Sequence, residues 1–588
     1  NRIMLMKLTD YMAGFIAEKT DHVFVGNGGC VVHILDSLSN KENMNLVPFV
    51  NEQGSSIAAE VHHRVTGNPG VAIATSGPGI VNMLQGIACA YYDSIPAIYI
   101  SGQVVTGHLK EGRKVRQVGF QEMPVTEMVD SFTKYAVCLT SANDVRYVME
   151  RLWWEAQNGR PGPVLLDLPD DIQRAEINPD ELRSFIPSEE GIDTVLSAEV
   201  VEGIKKAIRE AKRPLIVAGS GIKLSGTEEE AVQFIEKTGI PVVTTWSTID
   251  MFTSDTELLV GNFGVSANRP GNFAVQTCDL LISLGSRLDT HMTGANASTF
   301  AASAYKIIVD IDSSEIEKEN GLVTDLAVNM DLRKFFKQVT DELPTVEHIG
   351  GWRKRIVEWR RKYPICAPEY YRQESKVNPY VFMDLLSKLT KQDDIIITDA
   401  GGTLTWTMQG YEPKSKQKLF SAFNHSPMGY AFPAALGAKI IDPKSEVICI
   451  TGDGGFNMNL QELGTLEIQK LPLKIFILNN KEYGIIKQTQ STWLDSRYVC
   501  SDRESGVSSP DFVKIAKGYG IKCESISRHD ELEDKIKAVL SYQEGPIICD
   551  VAILENQEIL PKLSFGRPLE DMYPHLSKEE LEQNMSFK

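Results

Sequence analysis

No stretch of the 588-residue chain approaches the roughly 18 consecutive apolar residues of a membrane-spanning helix. The first segment, NRIMLMKLTDYMAGFIAEKT, has the spacing of an ordinary amphipathic helix, so a cytoplasmic chain without a membrane partner is expected. No pair of the nine cysteines is spaced CxxC, and their number is odd. That speaks against a disulfide framework or a zinc site and for free, mostly buried thiols. Positive charge is in deficit: 60 Lys and Arg stand against 78 Asp and Glu, a net charge of -18. Long-range attraction to nucleic acid is therefore opposed, although a local basic site for an anionic small molecule is not. Low-complexity segments and solenoid repeats are also missing.

What is present is alternation. Short β-branched runs such as VAIAT from Val71, AIYIS from Ala97 and VLLDLP from Val164 are each followed by turn residues or helical periodicity. A polar stretch around Ile186 to Asp193 interrupts the pattern, which resumes with PLIVAGSG, PVVTTW, DLLISLG and KIIVDIDSSE. The charged segment GGWRKRIVEWRRKYPI then precedes a third series, DIIITDAGG, EVICITGDGG, LKIFILNN and IICDVAIL. This reads as an α/β chain of three doubly wound domains with mainly parallel sheets. The boundaries fall at 1–185, 195–345 and 365–555, with a tail over 556–588 that could cover a site.

The segment Gly452-Asp453-Gly454-Gly455 ends the apolar strand VICIT and opens a helical run. Glycines at such a junction let a diphosphate approach the backbone, and a helix N-terminus favours its charge. A second strand, KIFIL, ends in Asn479-Asn480. A carboxylate from Asp453, the amide oxygen of Asn480 and the carbonyl of Glu482 make an oxygen donor set suited to Mg²⁺. The spacing resembles the thiamine diphosphate (ThDP) binding motif, GDG followed by about 25 residues and NN.

Three further segments carry the resemblance into the first domain and through the third. They are LVPFVNEQGSSIAAEVHHRVTG with ATSGPGIVNMLQGIACAYYDSIPAIYISG, and HSPMGYAFPAALGAK. Together they are similar to the acetohydroxyacid (acetolactate) synthase-like ThDP enzymes. The resemblance implies a pyrimidine-binding domain, a central nucleotide-binding-like domain and a diphosphate-binding domain. It makes Glu52 the carboxyl that hydrogen-bonds the aminopyrimidine and Met428 the bulky residue that bends the cofactor. Gly28, Gly29, Ser426, Gly454, Gly455 and Gly484 would border ThDP. Phe120 and Gln121 would border the reacting carbon, and Lys134 would line the entrance. His62 and His63 lack a catalytic context and read as helix-surface or interface residues. Family likeness also implies a homodimer or homotetramer with active sites between subunits.

In the central domain the resemblance places flavin contacts at Gly219, Gly221, Thr245, Gly261, Arg287, Asp310 and Glu315, so FAD is a further expected cofactor. Phe263 and Met330 depart from the family there, where histidine and glycine are usual. At the acceptor subsite His291 stands where the family has an arginine, and Thr489 where it has a tryptophan. An imidazole cannot reproduce a bidentate guanidinium clamp on a carboxylate. Losing an indole opens space. The expectation is decarboxylation of a 2-oxo acid such as pyruvate and transfer of its two-carbon unit to a bulky carbonyl acceptor. A nucleotide-linked keto sugar fits, and the GRPLEDMYPHL tail is compatible with that group. Alternatives are acetolactate synthesis from two 2-oxo acids, a flavin-coupled oxidase, a non-oxidative decarboxylase, or a non-catalytic binding protein that retains the fold.

Overall fold

The computed structural model describes residues 5–110, 112–187 and 195–587. Most of the polar stretch that follows Ile186 lies outside them. Helix α1 (Leu8–Ala17) is shorter than the opening segment suggested. Met6 and Lys7 instead pair as an antiparallel bridge with Glu176 and Ile177.

Three six-stranded sheets, parallel throughout, organise the chain. The first holds β1 (His22–Gly26), β2 (Asn45–Pro48), β3 (Gly70–Ala74), β4 (Ala97–Gln103), β5 (Tyr135–Cys138) and β6 (Pro163–Pro169), in the order β2-β1-β3-β4-β6-β5. The second holds β7 (Pro214–Ala218), β8 (Val242–Thr244), β9 (Leu259–Asn262), β10 (Leu280–Leu284), β11 (Tyr305–Asp310) and β12 (Leu326–Asn329), in the order β9-β8-β7-β10-β11-β12. The third holds β13 (Ile395–Thr398), β14 (Lys418–Phe420), β15 (Val447–Gly452), β16 (Lys474–Asn479), β17 (Lys522–Ile526) and β18 (Ile547–Ala552), in the order β14-β13-β15-β16-β18-β17. The outer two sheets therefore share one order, and the middle one has the order of dinucleotide-binding sheets. In open parallel sheets ligands bind beyond the carboxyl ends of the strands where the order reverses. That rule selects the ends of β1 and β3, of β7 and β10, and of β13 and β15.

The central strands of each sheet are buried on both faces, which explains their unbroken apolar runs, whereas edge strands such as β2, β5 and β17 are partly exposed. Helices α2 (Glu52–Thr66), α3 (Pro78–Asp93) and α4 (Ala431–Ile441) join the first and third sheets into one core, with Ile57, Ala58 and Val61 meeting Ala431, Ala434 and Ala438. Contact at this seam is close: a Cβ on Gly437 would lie 2.8 Å from that of Ala58. The tail passes beside the third sheet and then docks on the second. Leu563 N–H donates to the Val265 carbonyl at 2.8 Å, Asn272 Nδ2 donates to the Leu569 carbonyl at 2.9 Å, and Trp359 Nε1 donates to Asn584 Oδ1 at 3.0 Å. Leu569 is part of the central core.

Among the described residues no helix is long and apolar enough to cross a membrane. No disulfide joins any of the nine cysteines; four are buried, four are intermediate and Cys500 is exposed, so burial is less general than expected.

Candidate active site

Asp453 opens helix α5 (Asp453–Met458) directly beyond β15. It is 5% exposed. Burial pushes its carboxyl up to about 6 against the opposing hydrogen bonds of the Gly454 N–H, the Ser509 hydroxyl and the Lys481 N–H. Asn480, at the end of the adjacent β16, is also buried, and its Oδ1 accepts from the Glu482 N–H at 3.3 Å. The Glu482 side chain is already engaged: one oxygen accepts from Lys487 Nζ at 2.7 Å and the other from the Asn556 N–H. Its backbone carbonyl is the oxygen the motif offers to a cation. A buried carboxylate held above its ordinary range, beside an amide and a carbonyl oxygen, suits a hard divalent ion.

The glycines here mark close approaches. A Cβ on Gly454 would stand 2.7 Å from the Tyr483 ring and 2.8 Å from Met428 Cε, and one on Gly484 would stand 2.7 Å from Asn480 Nδ2. Ser426 adopts φ 49 and Gly429 φ 89, which folds segment 426–429 over α5. Met428 remains 36% exposed. Beneath the segment lies Asp399, which accepts from the Gly429 N–H at 2.9 Å, Thr451 Oγ1 at 2.8 Å and the Ala400 N–H at 2.8 Å. The sequence reading missed Asp399; its signal was the DAGG at the end of β13.

A second group of residues lies at the ends of β1 and β3. Glu52 begins α2, whose N-cap Asn51 accepts from the Gln53 N–H. A Cβ on Gly26 would fall 2.1 Å from Glu52 Cγ, so only glycine admits this side chain. Glu52 Oε2 accepts from Asn82 Nδ2 at 2.9 Å. Gly28 packs against Thr75, where a Cβ would come within 2.5 Å, whereas Gly29 faces open space. Gln121 holds φ 64 against Gly77, and its neighbour Phe120 is 85% exposed. The Lys134 ammonium is spent on the carbonyls of Glu155 and Asn158, and burial lowers it to about 8.

The central sheet carries a cavity of about 740 Å³, which shares His63, Asp93, Ser220 and Arg287 with a lobe of about 220 Å³. One end is lined by Thr245, Trp246, Phe263 and His291, the other by Gly221, Gly285, Asp310 and Met330. The two strand ends meet closely: a Cβ on Gly219 would lie 2.3 Å from the Gly285 carbonyl oxygen. Gly219 and Glu315 support this slot from behind rather than line it, Glu315 through a 2.8 Å bond from Arg160. Gly261 lines a third cavity of about 520 Å³ with Asn268, Arg360 and Tyr363. His62 departs from the expectation: it is buried, between Thr20 Oγ1 at 3.2 Å and the Asn68 carbonyl at 3.1 Å. Its neighbour His63 lines both lobes, and burial lowers it to about 4. Glu52, Met428, Asp453 and Asn480 line none of the three cavities.

His291 packs on Trp246 with ring centroids 4.2 Å apart, and burial lowers its pKa against the pull of Asp289. Burial therefore disfavours the charged form of the ring. Thr489 is exposed on helix α6 (Gly484–Trp493). One turn further along the same face, Trp493 packs edge-on against Phe565 of the tail at 5.1 Å. Neither aromatic was singled out from sequence.

Family models match each part of the chain: the N-terminal TPP binding domain of thiamine pyrophosphate enzymes over residues 6–128, the central domain over 201–339 and the C-terminal TPP binding domain over 399–551. The acetolactate synthase large subunit of Porphyra purpurea is 33% identical over 560 residues, 93% of this chain and 91% of the relative. That of Cyanidium caldarium is 32% identical over 94% of each chain, and acetolactate synthase 1, chloroplastic, of Zea mays is 32% identical over 94% of this chain and 86% of its own. With GDGG and NN at adjacent strand ends and these matches along its length, the chain belongs to the acetolactate synthase-like family of ThDP-dependent carboligases.

Proposed function

We propose that the protein decarboxylates a 2-oxo acid, pyruvate in the first instance, and transfers the two-carbon unit to a bulky carbonyl acceptor such as a nucleotide-linked keto sugar. The observation that carries the acceptor reading is His291, a half-buried imidazole packed at a tilt on Trp246, with burial disfavouring its charged form. A neutral ring offers a single hydrogen bond and no charge to a second 2-oxo acid's carboxylate.

Asp453, Asn480 and the Glu482 carbonyl would hold Mg²⁺, and Gly454 and Gly455 would let the diphosphate reach the start of α5. Bound ThDP supplies the electron sink that makes decarboxylation accessible. Met428 supports its bent form, and Glu52 holds a proton at the pyrimidine nitrogen. Phe120 and Gln121 border the reacting carbon, while Thr489, with Trp493 and Phe565 beside it, borders the acceptor. The N-terminal and C-terminal groups complete one another across a homodimer or homotetramer.

FAD suits the slot between the central domain and its neighbours. The supporting observation is the glycine contact of Gly219 and Gly221 against Gly285, which leaves room for a dinucleotide at the strand switch point. Thr245, Arg287 and Asp310 line it. A second reading, acetolactate synthesis, draws on the names of the relatives.

The deciding experiment is CO₂ release from pyruvate with ThDP and Mg²⁺, alone and with an acceptor panel that includes nucleotide-linked keto sugars, followed by mass spectrometry. A two-carbon adduct on a keto sugar supports the branch-transfer reading; abundant acetolactate without any acceptor overturns it.

A further inference from the structure

Two buried carboxylates share one guanidinium where the first and third sheets meet. Arg64 Nε donates to Glu60 Oε2 at 2.7 Å, and Arg64 Nη2 donates to Asp93 Oδ2 at 2.7 Å. All three side chains are almost wholly buried. Their remaining bonds leave the N-terminal domain. Asp93 accepts from the Phe423 N–H at 2.9 Å, the Asn424 N–H at 3.0 Å and Asn424 Nδ2 at 2.7 Å. Glu60 Oε1 accepts from the Tyr430 hydroxyl.

This is a costly way to join two domains. Two anions face one cation, and Asp93 is the last residue of α3, the helix end that disfavours negative charge. Adhesion is already supplied by the apolar packing of α2 on α4. What the charged groups add is direction, because each bond ends on a particular atom of the segment 423–430. Within that segment Ser426 and Gly429 hold positive φ, and Met428 is partly exposed with its Cε against Gly454. A short stretch with two left-handed residues keeps one shape only if both of its ends are fixed. Here Asp93 fixes the entry and Glu60, through Tyr430, the exit.

We propose that the Glu60–Arg64–Asp93 cluster positions Met428 over Gly454 from the neighbouring domain, adding to the hold that Asp399 and Asn459 exert on Gly429 from within the third domain. The proposal rests on the reading above that Met428 supports the bent cofactor. None of the three residues touches reacting atoms; they act through the segment that they grip.

The test is a double-mutant cycle on the full-length protein with ThDP and Mg²⁺, reading kcat, KM and the rate of hydrogen–deuterium exchange at C2 of bound ThDP. Asp93→Asn is expected to lower kcat and the exchange rate about tenfold with KM nearly unchanged, and to add nothing in a Met428→Ala background. Effects that multiply in the double variant, or an exchange rate unchanged by Asp93→Asn, overturn the proposal. If Asp93→Asn does not fold, Tyr430→Phe removes the exit bond without stranding a charge and is read in the same way. A Met428→Ala variant with normal exchange and turnover is a separate result: it defeats the reading of Met428 and the proposal with it.

Discussion

The carboxylate of Asp399 lies directly beneath Gly455, so that a Cβ built on the glycine would stand 2.7 Å from Oδ2. Asp399 cannot yield easily, because it also accepts the Gly429 N–H and the Thr451 hydroxyl. Gly455→Ala should therefore destabilise the apoprotein by about 1–3 kcal/mol through overpacking, and ThDP with Mg²⁺ should restore less stability than in the parent. Thermal unfolding with and without the cofactors checks both points.

Asp453 gives a pH dependence of known sign. Its unfolded carboxyl titrates near 4, whereas burial raises the folded one to about 6. The folded state then holds its proton more tightly, so this group's favourable contribution is present below pH 4, is lost between pH 4 and pH 6 and is absent above. The gap corresponds to about 3 kcal/mol. Asp453→Asn should accordingly stabilise the apoprotein at pH 8 and much less at pH 4, in chemical denaturation without cofactors. Mg²⁺ needs the ionised carboxylate, so ThDP–Mg²⁺ affinity should fall as pH drops through about 6, and the variant should lose it throughout.

Glu52→Gln keeps the length of the side chain and its contact with Asn82 but removes the ionisable group. The expected outcome is retained ThDP binding with turnover lowered by about 10²- to 10⁴-fold. Near-normal turnover in the steady-state assay would defeat the assigned role.

At the acceptor subsite, His291→Arg restores a cation that can pair with a carboxylate. Acetolactate formation from pyruvate should rise about tenfold relative to transfer onto a ketone or aldehyde. Because burial holds the native imidazole below its ordinary pKa, the parent's acceptor preference should stay flat between pH 7 and pH 9. A competition assay across that range measures both.

The sequence disclosed what is local in the chain. Asp453 and Asn480 stand at the ends of β15 and β16, within one strand–helix–strand unit, so their spacing alone brings them together. The three α/β series were equally plain, since strands covered on both faces have unbroken apolar runs. Strand order was not legible, because it depends on which distant strands pair. Asp93 was missed for the same reason: its partners Phe423 and Asn424 lie some 330 residues away. His62 and His63 are adjacent in sequence, yet helix geometry turns one into the domain interior and the other toward the cavity. Thr489 drew attention as a lost indole, whereas Trp493 occupies the same helix face one turn later.

The docking of the tail on the central sheet bears on how the chain is made. Leu569 completes the core built around residues 204–359, and Arg269 donates to the carbonyls of Met572 and Pro574. During synthesis the second domain leaves the ribosome about two hundred residues before the strap that closes it. It must wait, with that part of its apolar surface bare, while the whole third domain is translated. Stalled or nicked chains lacking the last thirty residues should for that reason be held by chaperones and cleared as unfinished, even though every residue of the diphosphate loop is already in place.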